Sequence, residues 1–243
     1  MIDLHGRVAL VTGGAHRLGR AITLALGQAG ANVVVHYNRS ADEAQAVLHD
    51  LAALAVQSVA VAGDLSRVAE VERVVDTAVA RWGQLDVLVN NAGIWGSTPI
   101  GTVTEDRWSE LIDTNLQGAF FAAQRATPAL RAASGAIINI ADVGALRPWR
   151  NHTPYLISKG GIITLTKALA KDLAPDVRVN AVAPGAVLLP DDWTPEQIER
   201  STRNVPLQRL GHPEDVAQAV LYLAQAKYVT GVVLPVDGGR HLG

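Results

Sequence analysis

Seven short runs of β-branched and aliphatic residues, separated by longer amphipathic stretches, fix most of what this chain can become. The runs are 7–13 (RVALVTG), 31–37 (ANVVVHY), 58–65 (SVAVAGDL), 85–93 (LDVLVNNAG), 135–141 (GAIINIA), 177–185 (VRVNAVAPG) and 231–239 (GVVLPVDGG). They are apolar without two-residue alternation, so each predicts a strand covered on both faces. The stretches between them carry helical spacing: 18–30, about 40–55, 68–83, 105–131, a segment ending near Leu173, and 213–225. Thr104 followed by Glu105 and Asp106 marks a helix start, with a capping hydroxyl and acidic residues at the positive end. Repeated strand–helix alternation gives a parallel sheet with helices on both faces. The expectation is one α/β domain over 1–243, a doubly wound parallel sheet of about seven strands.

Composition removes several classes of function. The 243 residues are 49% hydrophobic and 18% charged, with a net charge of −2 and no long basic run. Nothing in that balance suits nucleic acid or an anionic membrane. There is no cysteine, so disulfides and thiolate metal sites are excluded, and the chain fits a reducing cytoplasm. The seven histidines are scattered without metal-ligand spacing, and no metal site is expected. The opening MIDLHGRVALVTGG does not read as a secretory signal. No apolar stretch approaches the roughly 20 residues a bilayer-spanning helix needs.

The first strand runs into TGGAHRLG, where a strand meets a helix. Gly13, Gly14 and Gly19 allow a tight turn and a close backbone approach to a pyrophosphate, and Leu18 opens the helix whose N–H groups would receive it. Arg17 stands where a further glycine would be usual and brings a cation to the phosphates. The second strand ends Tyr37-Asn38-Arg39-Ser40. An NAD site places Asp or Glu about 20 residues past the loop to hold the ribose hydroxyl. A cation and neutral donors suit a 2′-phosphate instead, so NADPH is the expected cofactor. Asp64-Leu65 would lie against the adenine, although Asp64 could equally cap the next helix. Asn91, Ala92 and Gly93, from the NNAG after the fourth strand, would line the cofactor cleft. Pro184-Gly185 would stand at the end of the sixth strand. The stretch 186–213, rich in Pro, Asp and Arg, is too long for an ordinary connection and is read as a substrate lid.

Tyr155 and Lys159, in YLISK, stack on one helix face, which suits a phenol made acidic by an ammonium. Thirteen residues before Tyr155 stands Asp142, and no Ser or Thr occurs from Gly135 to His152.

Together TGG…LG, Asp64-Leu65, NNAG, Asn115, YxxxK, Pro184-Gly185 and the late VDGG resemble the short-chain dehydrogenase/reductase family over essentially the whole chain. The resemblance implies a Rossmann enzyme that moves hydride between nicotinamide and substrate. Tyr155 would be the general acid, and Lys159 would hold the nicotinamide ribose and lower the tyrosine pKa. Asn115 would bind a relay water, and the enzyme would be a cytoplasmic homotetramer packed through 105–131 and 153–173. Arg17, the HYNRS stretch, Asp142 and the terminal DGGRHL are similar to the pteridine reductase branch, which includes dihydromonapterin reductases. That branch implies a dihydropterin or dihydrofolate substrate touched by Arg17, Trp95, Asp142 and Tyr155. Trp95 would stack on the pterin, or else merely pack in a core or interface. One alternative is a carbonyl reductase acting on 3-oxoacyl thioesters or ketones, which an ionised Asp142 would oppose. The other is an inactive nucleotide-sensing protein.

Overall fold

A computed structural model describes residues 1–188, 194–203 and 205–242. It contains a seven-stranded sheet, all parallel, in the order β3-β2-β1-β4-β5-β6-β7. The strands are β1 (Val8–Val11), β2 (Asn32–Tyr37), β3 (Ser58–Ala62), β4 (Val87–Asn90), β5 (Ala136–Ile140), β6 (Arg178–Pro184) and β7 (Val233–Val236). The central strands are buried along their whole length, which is why they read as continuous apolar runs.

Three helices cover one face: α1 (Arg17–Gln28), α2 (Ala41–Ala52) and α8 (Pro213–Gln225). Ile22 and Leu26 of α1 and Val220 and Leu223 of α8 pack with Val33, Val35 and Val89 from the sheet. The other face is covered by α3 (Val68–Trp82), α5 (Gly118–Ala133) and α6 (Thr153–Asp172), whose Val71, Val74, Ala126, Leu130 and Ala170 meet Leu10, Leu88 and Ile137. Burying these stripes stabilises the fold by roughly 1.5–3 kcal/mol for each large aliphatic side chain.

Two expectations need revising. The helix predicted over 105–131 is α4 (Glu105–Ile112), a π-helical turn (Asp113–Gln117) and α5. Within 186–213, read as a lid, α7 (Pro195–Arg203) forms a helix, while 189–193 and 204 lie outside the described residues.

Strand order reverses at β1, whose neighbours are β2 and β4. At such a switch point the connections leave in opposite directions and open a crevice beyond the strand ends. The loops after β1 and β4 therefore face each other across one cleft.

Candidate active site

A cleft of about 320 Å³ occupies that crevice. Gly13, Arg17, Leu18 and Gly19 line it from the first loop, and Asn91, Ala92, Gly93 and Trp95 from the fourth. Asp142, Tyr155, Lys159, Pro184 and Gly185 complete it, with Val187 and Leu188 from the start of the 186–213 stretch. The sequence-predicted residues outside this lining are Tyr37, Asn38, Arg39, Ser40, Asp64, Leu65 and Asn115.

The loops after β1 and β4 are locked together through Thr12. Its Oγ1 accepts from the main-chain N–H groups of Asn91 and Ala92, both at 2.9 Å. Asn91 Nδ2 returns bonds to the carbonyls of Thr12 and Gly13. Gly13 has φ +61°, and a Cβ on Gly19 would overlap the Gly13 carbonyl. Only glycine fits there, because the loop doubles back on its own backbone. Arg17, where a glycine was the usual occupant, has φ +49°. That backbone conformation costs a residue with a Cβ about 1 kcal/mol.

His36, which sequence reasoning passed over, braces the loop after β1. The Gly13 N–H donates to its Nδ1 at 3.0 Å, so Nε2 carries the proton and donates to the Gly63 carbonyl, also at 3.0 Å. Burial lowers its pKa to about 4, which keeps the ring neutral. An imidazole in the apolar run NVVVHY was the available signal.

At the far end of β2, Arg39 is close enough to help hold the Asp64 carboxyl below its ordinary range, although the larger cause is the Ser66 hydroxyl. Asp64 accepts from the N–H and Oγ of Ser66. It closes a local turn and leaves the α3 N-terminus uncapped. The Leu65 side chain is buried in the core.

The chemistry-bearing groups are tightly bonded. Tyr155 Oη donates to Asp142 Oδ2 at 2.6 Å, and the Gly144 N–H donates to Asp142 Oδ1 at 2.7 Å. Lys159 Nζ donates to the Ile140 carbonyl at 2.8 Å. Burial raises the Asp142 pKa, against the opposing pull of the Tyr155 hydroxyl, the Gly144 N–H, Lys159 and Arg240. Tyr155 is pushed well above its usual 10 by burial and by the Asp142 charge. Lys159 is fully enclosed, and burial lowers it to about 8 while Asp142 opposes the shift.

Asn115 sits in the π-helical turn, and its amide acts as a main-chain surrogate. Its Oδ1 accepts from the Ile94 N–H at 2.7 Å, and its Nδ2 donates to the Ile94 carbonyl and to Ser158 Oγ. The structure thus gives its side chain an anchoring task, distinct from holding a relay water. Ser158, between Tyr155 and Lys159 in the sequence, was not singled out.

Trp95 stacks on His152, with ring centroids 5.3 Å apart and planes at 10°. Trp149 meets the same imidazole edge-on at 6.3 Å.

A doubly wound parallel sheet, a glycine-lined switch-point cleft and a buried tyrosine–lysine pair define a nucleotide-binding oxidoreductase. The family profile described as enoyl-(acyl carrier protein) reductase matches residues 13–241, and the chain belongs to the short-chain dehydrogenase/reductase family. It is 40% identical over 240 residues to 3-oxoacyl-(acyl-carrier-protein) reductase FabG of Staphylococcus aureus, covering 96% of this chain and 98% of that one. It is also 40% identical to ketoacyl reductase 2 of the granaticin polyketide synthase of Streptomyces violaceoruber, over 97% of this chain and 96% of the relative. The crystal structure of a blue fluorescent protein from a metagenomic library, in complex with NADPH, superposes with a TM-score of 0.92 at 34% identity. It covers 98% of this chain and 99% of that one.

These likenesses overturn the pteridine expectation, and with it dihydropterin and dihydrofolate as substrates. The site explains why the earlier clues misled. An ionised Asp142 would oppose a developing oxyanion, but burial raises its pKa, and a protonated carboxyl is a hydrogen-bond donor as a serine hydroxyl is. Trp95 already has a stacking partner in His152. A Cβ on Gly93, where a pterin-contacting serine would stand, would lie 3.2 Å from Asn115 Oδ1 and 3.5 Å from Lys159 Nζ.

Proposed function

We propose that the protein is an NADPH-dependent carbonyl reductase that converts 3-oxoacyl thioesters to 3-hydroxyacyl thioesters. The observation that carries this reading is the full-length likeness to 3-oxoacyl reductases, joined to a tyrosine–carboxyl pair in the cleft. The residues present fit the cofactor. Gly13 and Gly19 leave room for a pyrophosphate, and Arg17 would add its charge. Arg39 and Ser40, with Tyr37 and Asn38, would receive the 2′-phosphate. Asp64 and Leu65 would border the adenosine, the Leu65 contact being main-chain, and Asn91, Ala92 and Gly93 would flank the ribose and nicotinamide with Lys159, Pro184 and Gly185. Bound NADPH supplies the hydride that reduces the carbonyl carbon.

The protein's own contribution is to the oxygen. As negative charge develops there, Tyr155 Oη gives it a proton; in its protonated form the Asp142 carboxyl, 2.6 Å from that hydroxyl, returns one to the phenol and regains its own from solvent. The Lys159 ammonium stabilises the charge that passes through the phenol. Asn115 holds the Ile94 main chain, and so the wall of the cleft, in place. Val187 and Leu188, at the start of the 186–213 stretch read as a lid, would border the acyl group.

We further propose a cytoplasmic homotetramer. Trp108 on α4, Phe120 on α5 and Ile157 on α6 are 42%, 39% and 46% exposed, apolar side chains available to a second copy. Among the described residues no helix is long and apolar enough to cross a membrane.

The test measures NADPH oxidation with a 3-oxoacyl thioester, dihydrobiopterin and dihydrofolate in parallel. The thioester should be the one turned over. Absence of any turnover would return the protein to a nucleotide-sensing role.

A further inference from the structure

Gly13 is where the loop after β1 turns, with φ +61°, and both of its main-chain polar groups are committed. Its carbonyl accepts from Asn91 Nδ2 at 3.1 Å, and its N–H donates to His36 Nδ1 at 3.0 Å. One partner follows β4 and the other lies within β2, the two neighbours of β1, so the turn is gripped from both sides of the switch point. The His36 main chain joins the same knot, its carbonyl accepting from the Gly14 N–H at 2.9 Å. On the other side the ring donates from Nε2 to the Gly63 carbonyl at 3.0 Å, and the Gly63 N–H donates to the Tyr37 carbonyl at 2.9 Å. Gly63 directly precedes Asp64. A single residue, 2% exposed, thus joins the ends of β1, β2 and β3, which the phosphates and adenosine of the cofactor would meet.

The sheet itself does not require an imidazole there. An aliphatic side chain would continue the apolar run, whereas a buried polar ring is costly unless its nitrogens are bonded. The loop does require a brace. Glycine loses more conformational freedom on ordering than any other residue, and a loop not held beforehand must be ordered at the expense of ligand affinity. We propose that His36 is a positioning residue for NADPH, whose Nδ1 holds the Gly13 N–H and so keeps the phosphate loop in its receiving shape. The inference concerns the cofactor and is independent of which substrate is reduced.

The test is calorimetric titration of the whole protein with NADPH and with NADH, accompanied by urea unfolding of each variant. Three substitutions separate the hydrogen bond from packing. An asparagine Oδ1 stands about where Nδ1 stands and can accept from Gly13. A glutamine amide reaches about as far as Nε2 and can serve Gly63 alone, and a leucine fills the space without bonding to either. His36→Gln and His36→Leu should raise Kd for NADPH on the order of tenfold. Kd for NADH should rise by the same factor, because the pyrophosphate is common to both. His36→Asn should bind both nucleotides nearly as the unaltered protein does. Packing alone predicts the reverse order, since asparagine leaves the larger void. Full affinity in His36→Gln, or an affinity in His36→Asn as poor as in His36→Leu, would therefore overturn the proposal. A loss confined to NADPH would do the same, by tying the ring to the 2′-phosphate. Should His36→Leu fail to fold in the urea experiment, the asparagine and glutamine variants decide the matter between them.

Discussion

Replacing Asp142 tests the proposed proton path directly. The carboxyl is held above its ordinary pKa by burial and touches Tyr155 Oη at 2.6 Å. A group with a raised folded pKa is protonated at low pH and loses its proton as pH rises through that value. If the neutral carboxyl assists the reaction, kcat of the unaltered protein should be highest on the acid side and fall as the carboxyl ionises. A second fall should begin near pH 8, where Lys159 gives up its charge. Asp142→Ala removes a preorganised donor beside the developing oxyanion, a loss of about 3 kcal/mol or roughly 100-fold in kcat. Asp142→Ser keeps a hydroxyl and should cost less than about tenfold. It should also abolish the lower pH limb and leave only the one near 8. The assay is thioester-dependent NADPH oxidation at saturating cofactor across pH. An Asp142→Ser enzyme with an unaltered profile, or an Asp142→Ala enzyme within a few-fold of the original, would refute the reasoning.

Further outcomes follow from other contacts. Arg39→Ala should raise KM for NADPH by on the order of tenfold and leave KM for NADH unchanged; a parallel change in both would place the 2′-phosphate elsewhere. Between pH 7 and 5 the unfolded chain protonates His36, with its ordinary pKa near 6.5, while the folded chain, at about 4, does not. Stability should therefore fall on acidification, with His36 contributing about 2 kcal/mol of the loss. His36→Gln should flatten that fall in urea titrations at the two pH values, and equal falls would reject it. Trp95→Ala removes a stacked pair whose ring is 52% exposed, so thioester KM should rise a few-fold while Tm shifts little. A large Tm loss would mark Trp95 as a core residue.

The sheet was legible because burial on both faces leaves a continuous apolar run, and each of the seven runs became a strand. The cofactor end was legible for a similar reason: Gly13 and Gly19 answer a backbone constraint that no other residue meets. The substrate was not legible. The protonation state of Asp142 stays open in a string of letters, and only its burial beside Tyr155 shows that its pKa is raised. Trp95 was read as a platform awaiting a ring because its partner, His152, is 57 positions away in the chain. His36 escaped notice since its partners, Gly13 and Gly63, come from two other strand ends.

The π-helical turn at Asp113–Gln117 sets the phase between two helices. Leu111, Asn115, Ala119, Ala122, Ala126 and Leu130 are all buried, and their spacing is four, four, three, four and four. An unbroken α-helix would carry the last of these roughly 100° around from the first. The wide turn absorbs that angle. One extra residue thus lets α4 and α5 share a single buried stripe, and it is the same residue count that aims Asn115 at the Ile94 main chain. Helical phase and the wall of the reaction cleft are set by one local miscount of the backbone.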